Sequence, residues 1–178
     1  AHQPCIFVTN HQSGLDMSTF GTIYPTKTVL IGKKELLWVP VFGFFYVAAG
    51  NILIDRKKTI RAIAGLDAGI RALKERGLSI WIFPEGTRNR TGVGMLPFKK
   101  GAFHMAVQAQ SPIVPIVSSA VRPLFIPRKW VAKGGVIRIK VLPAISTVGM
   151  GPDDVLPLMN RVRDQMIRAS EEIKTEVL

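Results

Sequence analysis

Short apolar runs alternate with longer amphipathic segments along this chain. Apolar runs bounded by turn residues predict buried strands at residues 5–9, 28–31, 52–54, 78–83, 113–117 and 136–142. Apolar residues spaced three and four apart predict helices at residues 15–24, 59–76, 101–110 and 154–174. Because strands and helices alternate, the pattern predicts an α/β layer fold.

Residues 36–54 form a stretch of nineteen residues without a charged side chain. Its length would allow a membrane span, but Pro40, Gly43 and Gly50 break it into shorter pieces. We expect a buried helix followed by a buried strand. The alternative is that aromatic side chains of this stretch partly face a membrane or an acyl chain, namely Trp38, Phe42, Phe44, Phe45 and Tyr46.

Composition narrows the class of protein. With 178 residues, 47% hydrophobic and 20% charged, the chain is neither disordered nor too small for a core, and we predict one domain over residues 1–178. The single cysteine, Cys5, excludes a disulfide framework.

The net charge of +12 predicts an anionic partner. Residues 86–152 contain ten basic residues and no acidic one. These bases lie among apolar runs, without the interleaved aromatics or the RNP-like pattern of nucleic-acid binders. The distribution therefore favours an anionic membrane surface and argues against nucleic acid.

The first candidate site is the segment of residues 10–16, between the first predicted strand and the first predicted helix, where α/β folds place their sites. His11 and Asp16 are five residues apart, which on a continuous helix would put them about 140° apart around the axis. They can meet only if the chain turns between them, as Ser13 and Gly14 permit. A carboxylate that fixes one imidazole nitrogen leaves the other as a general base. The alternative is a surface loop with a helix cap.

The second candidate site is the sequence Phe-Pro-Glu-Gly-Thr-Arg at residues 83–88, directly after a predicted strand. Gly86 lets the backbone approach a ligand closely, and Arg88 carries a planar fork suited to phosphate. Glu85 could orient Arg88 or a ligand hydroxyl. The alternative is a polar turn with a surface arginine.

Two weaker segments also carry charge at strand ends. The pair Asp55–Arg56 ends the segment of residues 50–56, and Lys33, Lys34 and Glu35 follow the second predicted strand. Lys34 is a candidate phosphate contact. The alternative for Asp55–Arg56 is a surface ion pair, which contributes little to stability. The alternative for residues 33–35 is a solvated helix start, and each segment taken alone favours its alternative.

Together these segments resemble the 1-acylglycerol-3-phosphate acyltransferase family, the lysophosphatidic acid acyltransferases. His11 and Asp16 match the family's His-x4-Asp motif, residues 50–56 its second block, residues 83–88 its Phe-Pro-Glu-Gly-Thr-Arg block and residues 113–117 its fourth block. The resemblance covers essentially the whole chain, and the sequence of these segments is similar to that of bacterial membrane-bound members. It implies a mixed, largely parallel central sheet flanked by helices, the glycerolipid acyltransferase fold.

The resemblance also implies a reaction. A fatty acyl group would move from an acyl thioester to the sn-2 hydroxyl of 1-acylglycerol-3-phosphate, producing phosphatidic acid for phospholipid biosynthesis. His11 would be the general base and Asp16 would hold its imidazole. No metal or prosthetic cofactor is implied, and acyl-CoA or acyl-carrier protein would be the co-substrate. The implied substrate-binding residues are Lys34, Arg56, Glu85, Gly86, Thr87 and Arg88.

Two alternatives remain at the level of sequence. One is acylation of glycerol-3-phosphate or another lysophospholipid, because the superfamily shares the His-Asp motif; the other is a non-catalytic lipid-binding domain at a membrane surface. The family's usual N-terminal hydrophobic helices are absent before His11, so we expect that a membrane-anchoring segment is missing. We expect membrane association, at the cytoplasmic face of the inner membrane if the source is bacterial.

Overall fold

The structure, a computed structural model, describes residues 3–55, 59–91, 94–121, 124–126, 131–173 and 176–177. Ten strands are found in these ranges: β1 (Ile6–Thr9), β2 (Thr28–Lys33), β3 (Ile52–Ile54), β4 (Ser79–Ile82), β5 (Ile113–Ser118), β6 (Phe125–Ile126), β7 (Val131–Ala132), β8 (Gly135–Val136), β9 (Ile139–Val141) and β10 (Glu176–Val177). Five α-helices accompany them: α1 (Asp16–Gly21), α2 (Phe42–Ala48), α3 (Thr59–Lys74), α4 (Gly101–Ala109) and α5 (Val155–Glu172). The strand and helix types agree with most of the sequence predictions, with ends that differ by a few residues.

Six strands form the central sheet in the order β3-β2-β4-β1-β5-β9. The first five are parallel, and β9 runs antiparallel to β5 at one edge. This is the mixed, largely parallel sheet that the resemblance implied. All five parallel strands point their carboxyl ends to the same edge, which is where α/β folds bind ligands.

Alternate residues of the strands divide between two apolar layers, as the two-residue period of a strand requires. On one face, Ile6, Ile80 and Ile113 pack with side chains of α3, α4 and α5. On the other face, Trp81 is fully buried and contacts Phe20 of α1. Burial on both faces makes the central strands a rigid base for the loops that follow them.

Two predictions about single segments are wrong. The segment of residues 136–142 is not one strand, because β8 pairs with β10 while β9 pairs with β5. The apolar stretch of residues 36–54 does not contain a buried helix: a 3-10 turn (Lys34–Trp38) and α2 lie at the surface, with Trp38 80% exposed. Only its closing strand, β3, is partly buried as expected.

The alternative prediction for this stretch requires exposed aromatics, and some of them are exposed; their contact with a membrane or an acyl chain stays a prediction. Trp38, Phe44 and Phe45 are exposed, whereas Tyr46 is buried and donates its hydroxyl to the carbonyl of Leu30 over 3.0 Å. The side chain of Phe42 lies outside the described part of the structure. Among the helices in the described ranges, none is long and apolar enough to cross a bilayer.

Cys5, directly before β1, supplies a probe of this fold. The thiol is buried, and burial raises its pKa, against a smaller opposing effect of the hydrogen bond with Ser79. Because the thiolate is the reactive species, we predict that Cys5 reacts with a disulfide reagent roughly tenfold or more slowly than it does in unfolded chain. Absorbance of the released thiol measures both rates, and equal rates with and without denaturant would contradict the placement of Cys5.

Candidate active site

The candidate site lies at the carboxyl edge of the sheet, where the loops after β1 and β4 come together. These strands are neighbours, with Ile6 opposite Ile80 and Val8 opposite Ile82. The loop after β1 carries His11, and the loop after β4 carries residues 83–88. The backbone N–H of Asn89 donates to the carbonyl of His11 over 2.7 Å, which joins the two loops directly.

His11 and Asp16 are in contact. The sequence analysis expected this contact only if the chain turns between the two residues. The imidazole Nδ1 of His11 lies 2.7 Å from the carboxylate Oδ2 of Asp16. The chain turns at Ser13, and Asp16 is the first residue of α1. Because the carboxylate of Asp16 can only accept, Nδ1 is the nitrogen that donates to it, and Nε2 is left as the basic nitrogen of His11. His11 lines a cleft at this edge of the sheet.

Asp16 is 1% exposed, and its carboxylate is held by more than the imidazole. The backbone N–H groups of Gln12 and Ser13 donate to it over 2.7 and 3.0 Å. A buried carboxylate is tolerated only when its lone pairs are satisfied, and these donors satisfy them. The loop between the two residues is therefore wrapped around Asp16, and this fixes where His11 sits.

Phe83 supports the imidazole from the other side. Its ring stacks on the His11 ring with 4.2 Å between centroids and 24° between planes.

The residue immediately before His11 is also held by hydrogen bonds. Asn10 accepts from the backbone N–H of Ser118, at the end of β5, and donates to its carbonyl over 2.9 and 3.0 Å. The sequence analysis included Asn10 in the first candidate segment but gave it no role, because its partner is 108 residues away.

Glu85 has backbone partners that the sequence analysis did not foresee. Its side chain is 2% exposed, and its two oxygens accept the backbone N–H groups of His11 and Leu96 over 2.7 and 2.9 Å. Burial raises the pKa of Glu85, and these two hydrogen bonds oppose that rise. With each oxygen engaged by a backbone N–H, Glu85 holds the loop of His11 in place, and a role toward Arg88 or a ligand hydroxyl stays a prediction.

Arg88 reaches across to the loop of His11. A Cβ atom placed on Gly14 would lie 3.4 Å from a terminal nitrogen of Arg88, so the guanidinium passes close over that glycine. Gly86 has φ of 73°, and its N–H closes a turn on the carbonyl of Phe83. This turn exposes Thr87 and Arg88, and both line the same cleft as His11.

Lys33, the last residue of β2, and Lys34, which follows it, are placed differently from each other. Lys34, the predicted phosphate contact, forms an ion pair with Asp55 over 3.1 Å. Lys33 is exposed and lines the cleft with His11 and Arg88. Of the two lysines, Lys33 is therefore the one that lines the cleft, a distinction that the sequence could not make. Arg56, the other predicted contact, lies outside the described residues.

The cleft has a volume of about 330 Å³ and is bordered by a second cavity of about 680 Å³. The two share Lys33, Phe83, Gly86 and Thr87. The walls of the second cavity are mainly apolar, with Ile54, Leu66 and Ile82 among them. In the described ranges, no group of three or more His, Cys, Asp and Glu side chains is placed to hold a metal ion.

A basic cleft with a His-Asp pair can perform acyl transfer to a phosphorylated alcohol, and known proteins with similar sequences carry names of that kind. The acyltransferase family model matches residues 1–119. The human 1-acyl-sn-glycerol-3-phosphate acyltransferase alpha is 44% identical over 98% of this chain and 61% of its own length. The enzyme of the same name from Salmonella typhimurium is 40% identical over 97% of this chain and 69% of its own length.

The fold is shared as well. The crystal structure of the 1-acyl-sn-glycerophosphate acyltransferase PlsC from Thermotoga maritima superposes with a TM-score of 0.77 and 25% identity, over 97% of this chain and 67% of that one. The chain spans 60–62% of the length of the mammalian relatives. From the family model, the relatives and the shared fold, the chain belongs to the acyltransferase family, among the 1-acyl-sn-glycerol-3-phosphate acyltransferases.

Proposed function

We propose that this protein transfers a fatty acyl group from an acyl thioester to the sn-2 hydroxyl of 1-acylglycerol-3-phosphate, producing phosphatidic acid. The observation that carries the proposal is the 2.7 Å contact between His11 and Asp16 at the wall of a cleft that also contains Arg88. The names of the relatives in human and Salmonella typhimurium support the choice of acceptor.

In the proposed reaction, Nε2 of His11 takes the proton of the acceptor hydroxyl while the hydroxyl oxygen attacks the carbonyl carbon of the thioester. The new C–O bond forms and the C–S bond breaks, so that the leaving thiolate receives the proton from the imidazolium. Asp16 holds the imidazole in the required tautomer and stabilises its positive charge. The acyl group passes directly between the substrates, without an acyl-enzyme.

The phosphate of the acceptor would be bound by Arg88 and Lys33, with Lys34, Thr87 and the Gly86 backbone beside them. Arg88 presents a bidentate fork for phosphate oxygens, and Lys33 adds a flexible positive charge. Arg56 remains a predicted contact. Binding the phosphate places the hydroxyl at His11, and such positioning lowers the barrier by several kcal/mol.

The acyl donor would be acyl-CoA or acyl-carrier protein, with no metal or prosthetic cofactor. The apolar cavity lined by Ile54, Leu66 and Ile82 adjoins the cleft and suits a hydrocarbon chain. Since the acceptor is itself a lipid, we also propose that the protein works at an anionic membrane surface, which for a bacterial source is the cytoplasmic face of the inner membrane. The net charge of +12 supports this location.

We predict that His11→Ala lowers kcat about 10²- to 10⁴-fold, the usual contribution of a general base. Asp16→Asn should lower kcat as well, because an amide no longer fixes the imidazole tautomer. Thiol release from a soluble acyl thioester in the presence of lysophosphatidic acid measures both. Asp153→Asn, an exposed aspartate in the 3-10 turn Pro152–Asp154, is the matched control. Full activity of His11→Ala would overturn the mechanism.

We predict that Arg88→Ala lowers kcat/KM for lysophosphatidic acid roughly tenfold to hundredfold, because a charge-assisted hydrogen bond contributes about 1.5–3 kcal/mol. With monoacylglycerol, which lacks the phosphate, the same change should have little effect. Arg161→Ala is the control, since Arg161 is exposed and lines a separate groove on α5. Equal losses on both acceptors would show that Arg88 does not bind the phosphate.

Glu85 should act as a positioning residue, and Glu85→Gln tests this. A glutamine offers one oxygen where two backbone N–H groups need acceptors, so the loop of His11 should shift. We predict that kcat falls about tenfold or more with a smaller change in KM, as expected when a misplaced base affects only the transition state. Glu75→Gln, an exposed change after α3, is the control. A change confined to KM would contradict this role.

The raised pKa of Glu85 also predicts a pH dependence of stability. The folded protein binds the Glu85 proton more tightly than the unfolded chain, so the favourable contribution is complete below the ordinary carboxyl pKa. It is lost as the pH rises through the raised value. We therefore predict that the free energy of unfolding of wild type, relative to Glu85→Gln, decreases from acidic to neutral pH. Denaturant unfolding of both proteins across this range measures it, and a parallel pair of curves would contradict it.

A further inference from the structure

The most unusual surface of the molecule is an apolar one beside the cleft. The 3-10 turn Lys34–Trp38 and α2 expose a run of large hydrophobic side chains, here named the aromatic patch: Leu37, Trp38, Val39, Val41, Phe44, Phe45 and Val47. Trp38 is 80% exposed, Phe44 73% and Phe45 63%. Scattered apolar residues are normal on a protein surface, but a continuous cluster of this kind marks an interaction surface.

The patch is held in a fixed shape. Gly43 of α2 packs directly on the 3-10 turn, since a Cβ atom there would lie 2.4 Å from the carbonyl oxygen of Leu37. The rings of Phe44 and Phe45 meet edge to face at 5.6 Å. On the opposite side of α2, Tyr46 is buried and anchored to Leu30. The exposed apolar face is therefore the outer side of a helix whose inner side is already packed.

Val41 adds a sign of strain within the patch. It has φ of 65°, in the left-handed region that β-branched residues avoid. Such a conformation is unfavourable and persists where the surroundings impose it. Here it starts α2 and leaves the Val41 side chain 71% exposed. A strained backbone that presents an apolar side chain to solvent is consistent with a surface that is covered in use.

The inner side of the same segment lines the cleft. Leu36 of the 3-10 turn and Tyr46 of α2 line the cleft, as does Lys33, the residue immediately before the turn. Exposed cations lie around the cleft, namely Lys33, Arg88 and Arg90. Of the acids near the cleft, Asp16 and Glu85 are buried, Asp55 is paired with Lys34, and Glu35 is exposed. A positive rim next to an aromatic surface matches an anionic headgroup layer above hydrocarbon, and tryptophan is typical of that boundary.

We propose that the aromatic patch inserts into the headgroup region of an anionic bilayer and thereby sets the mouth of the cleft against the membrane. This rests on the proposed function, in which the acceptor is a membrane lipid. With the patch inserted, the acceptor phosphate can reach Arg88 and Lys33 while the acyl chain stays in the bilayer. The lipid then need not leave the membrane completely to be acylated.

The test is binding of the full chain to vesicles of phosphatidylcholine with and without phosphatidylglycerol. Wild type should sediment with the anionic vesicles. Quenching of tryptophan emission by brominated lipid is measured in a Trp130→Phe background, which leaves Trp38 and Trp81 as the tryptophans. In that background Trp38→Phe should lose most of the quenching, because Trp81 is buried. The double variant F44S/F45S should bind roughly tenfold or more weakly, as expected from the loss of two inserted apolar side chains. The control V148S/L156S removes two exposed apolar side chains outside the patch and should bind as wild type does.

Activity separates this inference from the proposed function. F44S/F45S should acylate a short-chain, monomeric lysophosphatidic acid at the wild-type rate and lose activity roughly tenfold toward acceptor embedded in vesicles. If wild type is inactive on both acceptors, the proposed function fails, while the vesicle-binding result still decides the patch. Wild type that ignores anionic vesicles, or F44S/F45S that binds them normally, overturns the inference. So does a wild-type dimer that F44S/F45S converts to monomer without any vesicle binding, because the patch would then join two copies.

Discussion

The hydrogen bond from the backbone N–H of His11 to buried Glu85 is the contact on which the site depends. It joins the loop after β1 to the loop after β4, at the edge of the sheet where these two neighbouring strands end. The other oxygen of Glu85 holds Leu96, so the long segment before α4 is tied to the same carboxylate. Burying a carboxylate is unfavourable unless its oxygens are hydrogen-bonded, and each oxygen of Glu85 accepts a backbone N–H. Glu85 thereby connects its own loop to the loop of His11 and to the segment of Leu96.

The same principle organises the second carboxylate. Asp16 is as deeply buried as Glu85, but one of its partners is the imidazole of His11 rather than the backbone alone. One buried acid therefore fixes the backbone of His11 and the other fixes its ring. With Phe83 stacked on the imidazole, the ring has little freedom left, and Nε2 is directed by the fold before any substrate binds.

The sequence predicted the sheet and most of its helices because period-two and helical patterns depend on local side chains, as in β4 and α5. It also predicted the meeting of His11 and Asp16, since only five residues separate them. It did not predict the burial of Glu85, which reads as a turn residue until β1 is known to lie beside β4. Nor could it choose between Lys33 and Lys34, because the partner Asp55 comes from a strand end 21 residues away. The catalytic and binding roles remain predictions.

The prediction of a buried helix in the apolar stretch around α2 was wrong for a physical reason that bears on function. Hydrophobicity alone predicts burial, but a helix of seven residues can pack only one side, and Tyr46 lies on the side that does. The opposite side keeps its aromatics in solvent, next to the lysine that lines the cleft. An exposed surface of this kind is unfavourable for an isolated protein in water, by roughly 25 cal/mol for each Å² of apolar area that could otherwise be buried. Retaining it beside the cleft is reasonable if the missing partner is the membrane that holds the substrate.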